Sequence, residues 1–155
     1  LDPTLVRAHY RMGQYFVRYK KNQEGYDALD KAIKLDPNFA PAYQEAGDLL
    51  FALKRYDAAK RMYESYIGLR PDDPLVLRRY AQALYKGAQY EGALEQINKV
   101  LAQRPDDIVM IRLRAWSNHE LGRTAEARQA IDKFFSQAKP TAITYRDYEY
   151  RGRIA

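Results

Sequence analysis

Apolar and small side chains recur three and four residues apart along the chain, as at His9, Met12, Gly13 and Phe16 and again at Tyr43, Ala46, Gly47 and Leu50. That spacing gathers them on one face of a helix. Short polar breaks follow, KKNQ, KR, KGAQ and LGRT, and each leads into a second amphipathic stretch such as YDAAKRMYESYIGL. No segment alternates apolar and polar positions as a half-buried strand does. The pattern predicts helix–turn–helix units throughout.

These units repeat. Prolines stand at Pro3, Pro37, Pro71 and Pro105, each 34 residues after the last, in the contexts LDPT, LDPNF, LRPDDP and QRPDDI. A proline cannot continue a helix and biases the preceding residue away from it, so each marks the end of a hairpin. The Asp and Asn residues that follow are suited to cap the next helix. The boundaries predicted are 4–37, 38–71, 72–105 and 106–139, with the last closing proline slipped by one to Pro140. Residues 140–155 then read as the first helix of a partial fifth unit.

Small residues fall in register as well. Gly13, Gly47, Ala81 and Ala115 lie where the first helix of each hairpin meets the second, and Gly25, Ala59, Ala93 and Ala127 face them. Small side chains let helix axes approach to about 8–10 Å. With its aromatic, Leu-Gly-like pair, aromatic, Ala and closing Pro, the pattern resembles the tetratricopeptide repeat (TPR) family. The first unit carries it as His9, Met12-Gly13, Phe16, Gly25, Leu29, Ala32 and Pro37, the second as Tyr43, Ala46-Gly47, Leu50, Ala59, Tyr63, Tyr66 and Pro71. The third has Leu77, Tyr80-Ala81, Leu84, Ala93, Ile97, Val100 and Pro105. The fourth is looser, with Ile111, Arg114-Ala115, Asn118, Ala127, Ile131 and Phe134. The resemblance implies an all-α, right-handed α-solenoid of antiparallel helical hairpins, a TPR superhelix of about nine helices in one array. The strict 34-residue period separates it from the 35-residue pentatricopeptide repeats that bind RNA.

Composition then narrows the chemistry. The chain has 155 residues, no cysteine, a formal charge of +6 and 14 tyrosines. Disulfides and thiol chemistry are excluded, and the charge favours acidic partners. Tyr43, Tyr56, Tyr63, Tyr66, Tyr80 and Tyr90 fall in packing columns, where a ring buries its body and keeps its hydroxyl wet. No apolar run is long enough to cross a membrane. His119 beside Glu120 lacks the further ligands that a metal needs. The acid pairs Asp72-Asp73 and Asp106-Asp107 stand where helices begin and act there as caps. No glycine-rich phosphate loop or nucleophile motif occurs, so neither an enzymatic role nor a cofactor is expected.

Function is therefore sought on the face of the first helices. The residues flanking the packing stripe are Arg7, Tyr10, Arg11, Gln14 and Arg18 in the first unit, Gln44, Glu45, Asp48 and Phe51 in the second, Arg78, Arg79, Gln82, Tyr85 and Lys86 in the third, and Arg112, Trp116, His119 and Glu120 in the fourth. By the resemblance this face is concave and binds a peptide or partner protein, and Arg and aromatic residues are the usual anchors. Members that clamp a chaperone's EEVD carboxylate use Lys and Asn on successive first helices. Tyr10, Gln14, Glu45, Leu75 and Arg79 stand there instead, so no such clamp is expected. The alternatives are a nucleic-acid-binding helical-repeat module, opposed by Glu45 and Asp48 in mid-face, and end-to-end self-association as a homodimer. Resemblance to bacterial members and the lack of cysteine favour the bacterial envelope or periplasm over the cytoplasm. The closing TYRDYEYRGRIA aligns as Tyr148, Arg151-Gly152 and Ala155, and the opening Leu1-Asp2-Pro3 as the end of a preceding unit, so both ends are expected to be cuts through a longer array.

Overall fold

A computed structural model describes residues 2–154. Leu1 and Ala155, which enter the expectations about the two ends, lie outside the described residues. The fold is all-α: α1 (Pro3–Arg18), α2 (Asn22–Leu35), α3 (Ala40–Ala52), α4 (Tyr56–Leu69), α5 (Pro74–Lys86), α6 (Tyr90–Gln103), α7 (Ile108–Glu120), α8 (Thr124–Gln137) and α9 (Tyr145–Ile154). It is a solenoid of helical hairpins. Helices α1 and α2 pair, as do α3 with α4 and α7 with α8. Two compact units divide the chain, Leu1–Arg79 and Tyr80–Ala155.

In the first unit the core gathers Leu29, Leu49, Leu50, Tyr63, Val76 and Leu77, all essentially buried. Beside it, Val6, Ala32 and Ala42 form a cluster against which Tyr10, Ile33, Leu35 and Phe39 pack. The glycine columns explain how the hairpins close. A Cβ on Gly13 would lie 2.6 Å from Leu29 Cγ, and one on Gly47 would lie 2.7 Å from the Tyr63 ring. In the second unit Ile97, Val100, Met110, Ile111, Ile131 and Phe134 are buried, and Ala81, Ala93, Ala115 and Ala127 are fully enclosed.

One turn serves every hairpin. Lys20, Lys54, Ala88 and Gly122, spaced at the repeat length, all adopt left-handed backbone with φ of 59°, 59°, 57° and 71°. In each, the next N–H reaches back to the last turn of the first helix, as Lys21 to Phe16 O and Arg123 to Asn118 O at 2.9 Å. This is the Schellman closure, which satisfies helix-end carbonyls.

Helix starts are less uniform than the sequence reading expects. Asp2 accepts from Thr4 N at 2.9 Å, Asp73 from Leu75 N at 2.9 Å, and Asp107 from Met110 N at 3.1 Å. Asn38, expected to cap α3, does not. Its own N–H donates to Asp36 Oδ1 at 3.0 Å, and Phe39 stands at the cap with no side-chain bond. Starts at Ala40, Pro74 and Ile108 keep the repeat, but a 3-10 turn at Pro140–Ala142 delays α9 to Tyr145. There the Asp147 carboxylate accepts from Thr144 N at 2.8 Å, the return half of a capping box.

Candidate functional site

In the first unit the expected face is built from α1, α3 and the start of α5. Tyr10 packs its ring edge-on to Phe39, with centroids 5.3 Å apart. Its hydroxyl accepts from Gln14 Nε2 at 2.9 Å, and the same amide donates to Glu45 Oε2 at 3.2 Å. One turn along α3, Asp48 is held from two sides. The Tyr63 hydroxyl donates to it at 2.7 Å, and Arg79 Nη1 lies 3.1 Å away. Burial pushes the Asp48 carboxyl above its ordinary value, opposed by the Tyr63 hydrogen bond and the Arg79 charge. Burial and the Asp48 charge likewise hold Tyr63 far above the usual phenol range, so its hydroxyl stays a donor.

Arg7, Arg11 and Arg18 project from α1 into solvent, and none has a carboxylate within ion-pair distance among the described residues. Arg78 is half-buried. Arg79, the one cation at the positions a carboxylate clamp would use, is paired with Asp48.

In the second unit the expected residues converge with α9, which packs on α7 and α8. Tyr150 of α9 stacks on Trp116, with centroids 5.2 Å apart and planes 26° from parallel. The Tyr85 ring lies 6.0 Å from the indole with its plane tilted by 39°, and His119 meets Tyr150 edge-on at 5.2 Å. The Arg146 guanidinium lies 4.8 Å from the Trp116 centroid, and Arg112 lies 5.2 Å from it. Tyr150 donates a short hydrogen bond to Glu120, and the Tyr85 and Tyr150 hydroxyls are 3.2 Å apart. Burial, then the Tyr150 contact, holds the Tyr85 phenol far above its usual range. Gln82 is half-buried one turn before Tyr85.

Sequence reasoning missed Tyr150, Arg146 and Asp147. Asp147 is fully buried, 3.5 Å from Arg112 Nη1, and its second oxygen meets no donor. The register assigned Tyr148 and Gly152 to packing columns, yet Tyr148 is 59% exposed and a Cβ on Gly152 would meet nothing within 4 Å. They lie on the side that the second helix of a hairpin covers elsewhere. The inward side carries Asp147, Tyr150 and Ile154. The three-residue spacing from Asp147 to Tyr150 and the four to Ile154 was the available signal.

Among the described residues no three His, Cys, Asp or Glu side chains come close enough to share a metal ion. No helix is long and apolar enough to cross a membrane.

Similar proteins agree with this architecture. The tetratricopeptide repeat sequence model matches residues 17–77 and 50–117. No curated protein sequence matches the chain significantly. Among solved structures, the RS-1 MamA ArsTM double mutant superposes with a TM-score of 0.85 at 19% identity, covering 96% of this chain and 82% of its own. A crystal structure of MamA protein gives 0.87 at 15% identity, with 97% and 80% covered. MamA 41-end from Desulfovibrio magneticus RS-1 gives 0.72 at 21% identity, with 96% and 76% covered. At these identities the likeness is one of fold. With the family's sequence model spanning most of the hairpins and the 34-residue columns packed as described, the chain belongs to the tetratricopeptide repeat family.

Proposed function

We propose that this chain is a non-catalytic scaffold that holds a peptide or partner protein on the face formed by its first helices. Membership of the tetratricopeptide repeat family supports a protein-interaction role. The observation that carries the finer reading is the arginine row Arg7, Arg11 and Arg18, exposed and without carboxylate partners among the described residues. Beside it, Tyr10 and Gln14 are held in fixed positions by Phe39 and Glu45. A row of free cations next to a rigid aromatic suits an acidic peptide, since complementary charge guides register and exposed pairs alone add about 0.2–1 kcal/mol each.

Nucleic acid fits this face poorly. Glu45 and Asp48 stand in its middle, and Arg79 is committed to Asp48. The same carboxylates oppose a terminal carboxylate clamp.

The test is affinity capture of partners by the wild type and by an Arg7→Glu/Arg11→Glu variant. Both side chains are exposed, so folding is expected to be retained. Recovery of bound partner is expected to fall about tenfold or more, as for charge reversal at a complementary interface. Equal recovery of the same partners would sink the reading.

A further inference from the structure

Arg114 and Asn118 break two packing columns of the repeat. At the first position the other units carry Met12, Ala46 and Tyr80, and at the second Phe16, Leu50 and Leu84. Ala46, Leu50, Tyr80 and Leu84 are buried there. In the fourth unit the same columns hold a guanidinium and a carboxamide. Neither change helps the hairpin close, because a polar group taken out of water costs stability unless it finds a partner.

Both side chains line a hollow of about 350 Å³ on the side of the second helices, with α6 and α8 as its walls and α7 as its floor. These three helices stand inside the array, with α5 before them and α9 after. No residue of the peptide face takes part. The volume is that of a small-molecule site, but such sites are usually lined by apolar side chains. Here Leu94 is the one apolar side chain of the lining, so a polar solute fits.

The charges in the hollow narrow its chemistry. Arg114 is half-buried and has no carboxylate within ion-pair distance among the described residues. An arginine rarely leaves water unless it is paired. Glu126 lines the same hollow, yet it pairs neither with Arg114 nor with another base among the described residues. Arg123 already has Glu91 at 3.9 Å. Between these charges lie the carboxamides of Asn98, Asn118 and Gln129, which both donate and accept. Asn118 is only 5% exposed. Its Nδ2 donates to Arg114 O at 3.0 Å, and its side-chain oxygen has no donor among the described residues.

A cation and an anion held apart in one hollow are the complement of a small zwitterion. A dicarboxylate would be repelled by Glu126, a diamine by Arg114, and a neutral sugar would leave both charges unmatched. We propose that the hollow between α6, α7 and α8 binds a free amino acid with a polar side chain. Its carboxylate sits on Arg114 through the two-bond fork that a guanidinium offers. Its ammonium faces Glu126, and its side chain meets the carboxamides. This goes beyond the peptide-face reading and does not depend on it.

The probes are the standard amino acids, one at a time, and for any that binds, its deamino acid and its α-amide, which each lack one of the two charges. Isothermal titration calorimetry is read on the 155-residue chain. At least one polar amino acid is expected to bind, at least about tenfold tighter than either counterpart. Arg114→Met/Asn118→Leu installs residues that the chain itself uses in these columns, Met12 and Leu50. It is expected to abolish binding while the thermal midpoint holds or rises. Glu126→Gln is expected to erase the preference for the amino acid over its deamino acid. Because Glu126 is exposed, that variant reads the site even if the double variant unfolds. No binding by any amino acid, equal binding of a counterpart, or binding that survives Arg114→Met/Asn118→Leu would each overturn the proposal. Partner capture by Arg7→Glu/Arg11→Glu reads a different surface, so either result can fail alone.

Discussion

Two glycines separate the demands that single positions make. At Gly47 an added methyl runs into a Tyr63 ring that is itself pinned by its hydrogen bond to Asp48. Gly47→Ala is expected to cost about 1–3 kcal/mol by overpacking. Gly152, inside α9, has open space around it. Gly152→Ala is expected to stabilise by about 0.5–1 kcal/mol through helix propensity alone. Urea midpoints of the two variants, moving in opposite directions, check both. The hairpin turns make a related demand. Ala88 holds left-handed backbone at φ 57°, while the glycine of that turn, Gly87, sits one residue too early. A left-handed non-glycine residue costs about 1–2 kcal/mol. Ala88→Gly is therefore expected to raise the thermal midpoint, and no change would remove strain as the explanation.

At the scale of elements, helices and their hairpin pairing were readable because period and small-residue columns act together over four copies. A bulky residue in a glycine column cannot pack, so Gly13 and Gly25 announce a close crossing before any coordinates do. Helix starts were less readable, because capping depends on backbone direction as well as residue type. Asp73 and Asp107 cap, whereas Asn38 spends its backbone N–H on Asp36. The α9 register was readable only in part, since columns learned from complete hairpins do not say which α9 side chains, here Asp147, Tyr150 and Ile154, turn inward. The candidate site followed the same division. Spacing put Tyr10, Gln14, Trp116 and His119 on the expected face, but Tyr150 and Arg146 arrive from a helix displaced by the Pro140–Ala142 turn. The Asp73 cap carries its own pH signature. Burial works against its ionised form, yet the Tyr66 hydroxyl and the Leu75 and Val76 N–H groups outweigh it and lower its pKa. A lowered carboxyl contributes stability above its unfolded value of 3.8 and loses it as pH falls through the folded value. Asp73→Ala is expected to cost about 1 kcal/mol at neutral pH. The gap to wild type should narrow in acid below the unfolded pKa. A gap that is constant with pH would show that the carboxylate charge plays no part.

Across the molecule, stability in a repeat array is a sum of hairpins and nearest-neighbour interfaces. Among the described residues helix α9 is held through Ile154, Tyr150 and Asp147, with Arg151 lying 4.6 Å from the Phe135 centroid as a surface clasp. It is the element expected to open first, since low local packing means low local stability. Hydrogen exchange should find its amides protected least among α7, α8 and α9. Uniform protection of the three would mean that they open as one.

The stacking of Tyr150 and Arg146 on Trp116 has an optical consequence. The chain has one tryptophan, so its indole emission reports a single neighbourhood. Release of α9 bares that ring to water and shifts the emission to the red, while the backbone ellipticity of the remaining hairpins persists. During denaturant titration the colour change is expected at a lower concentration than the loss of ellipticity. The same light, followed without denaturant, would then register any molecule that takes the place of α9.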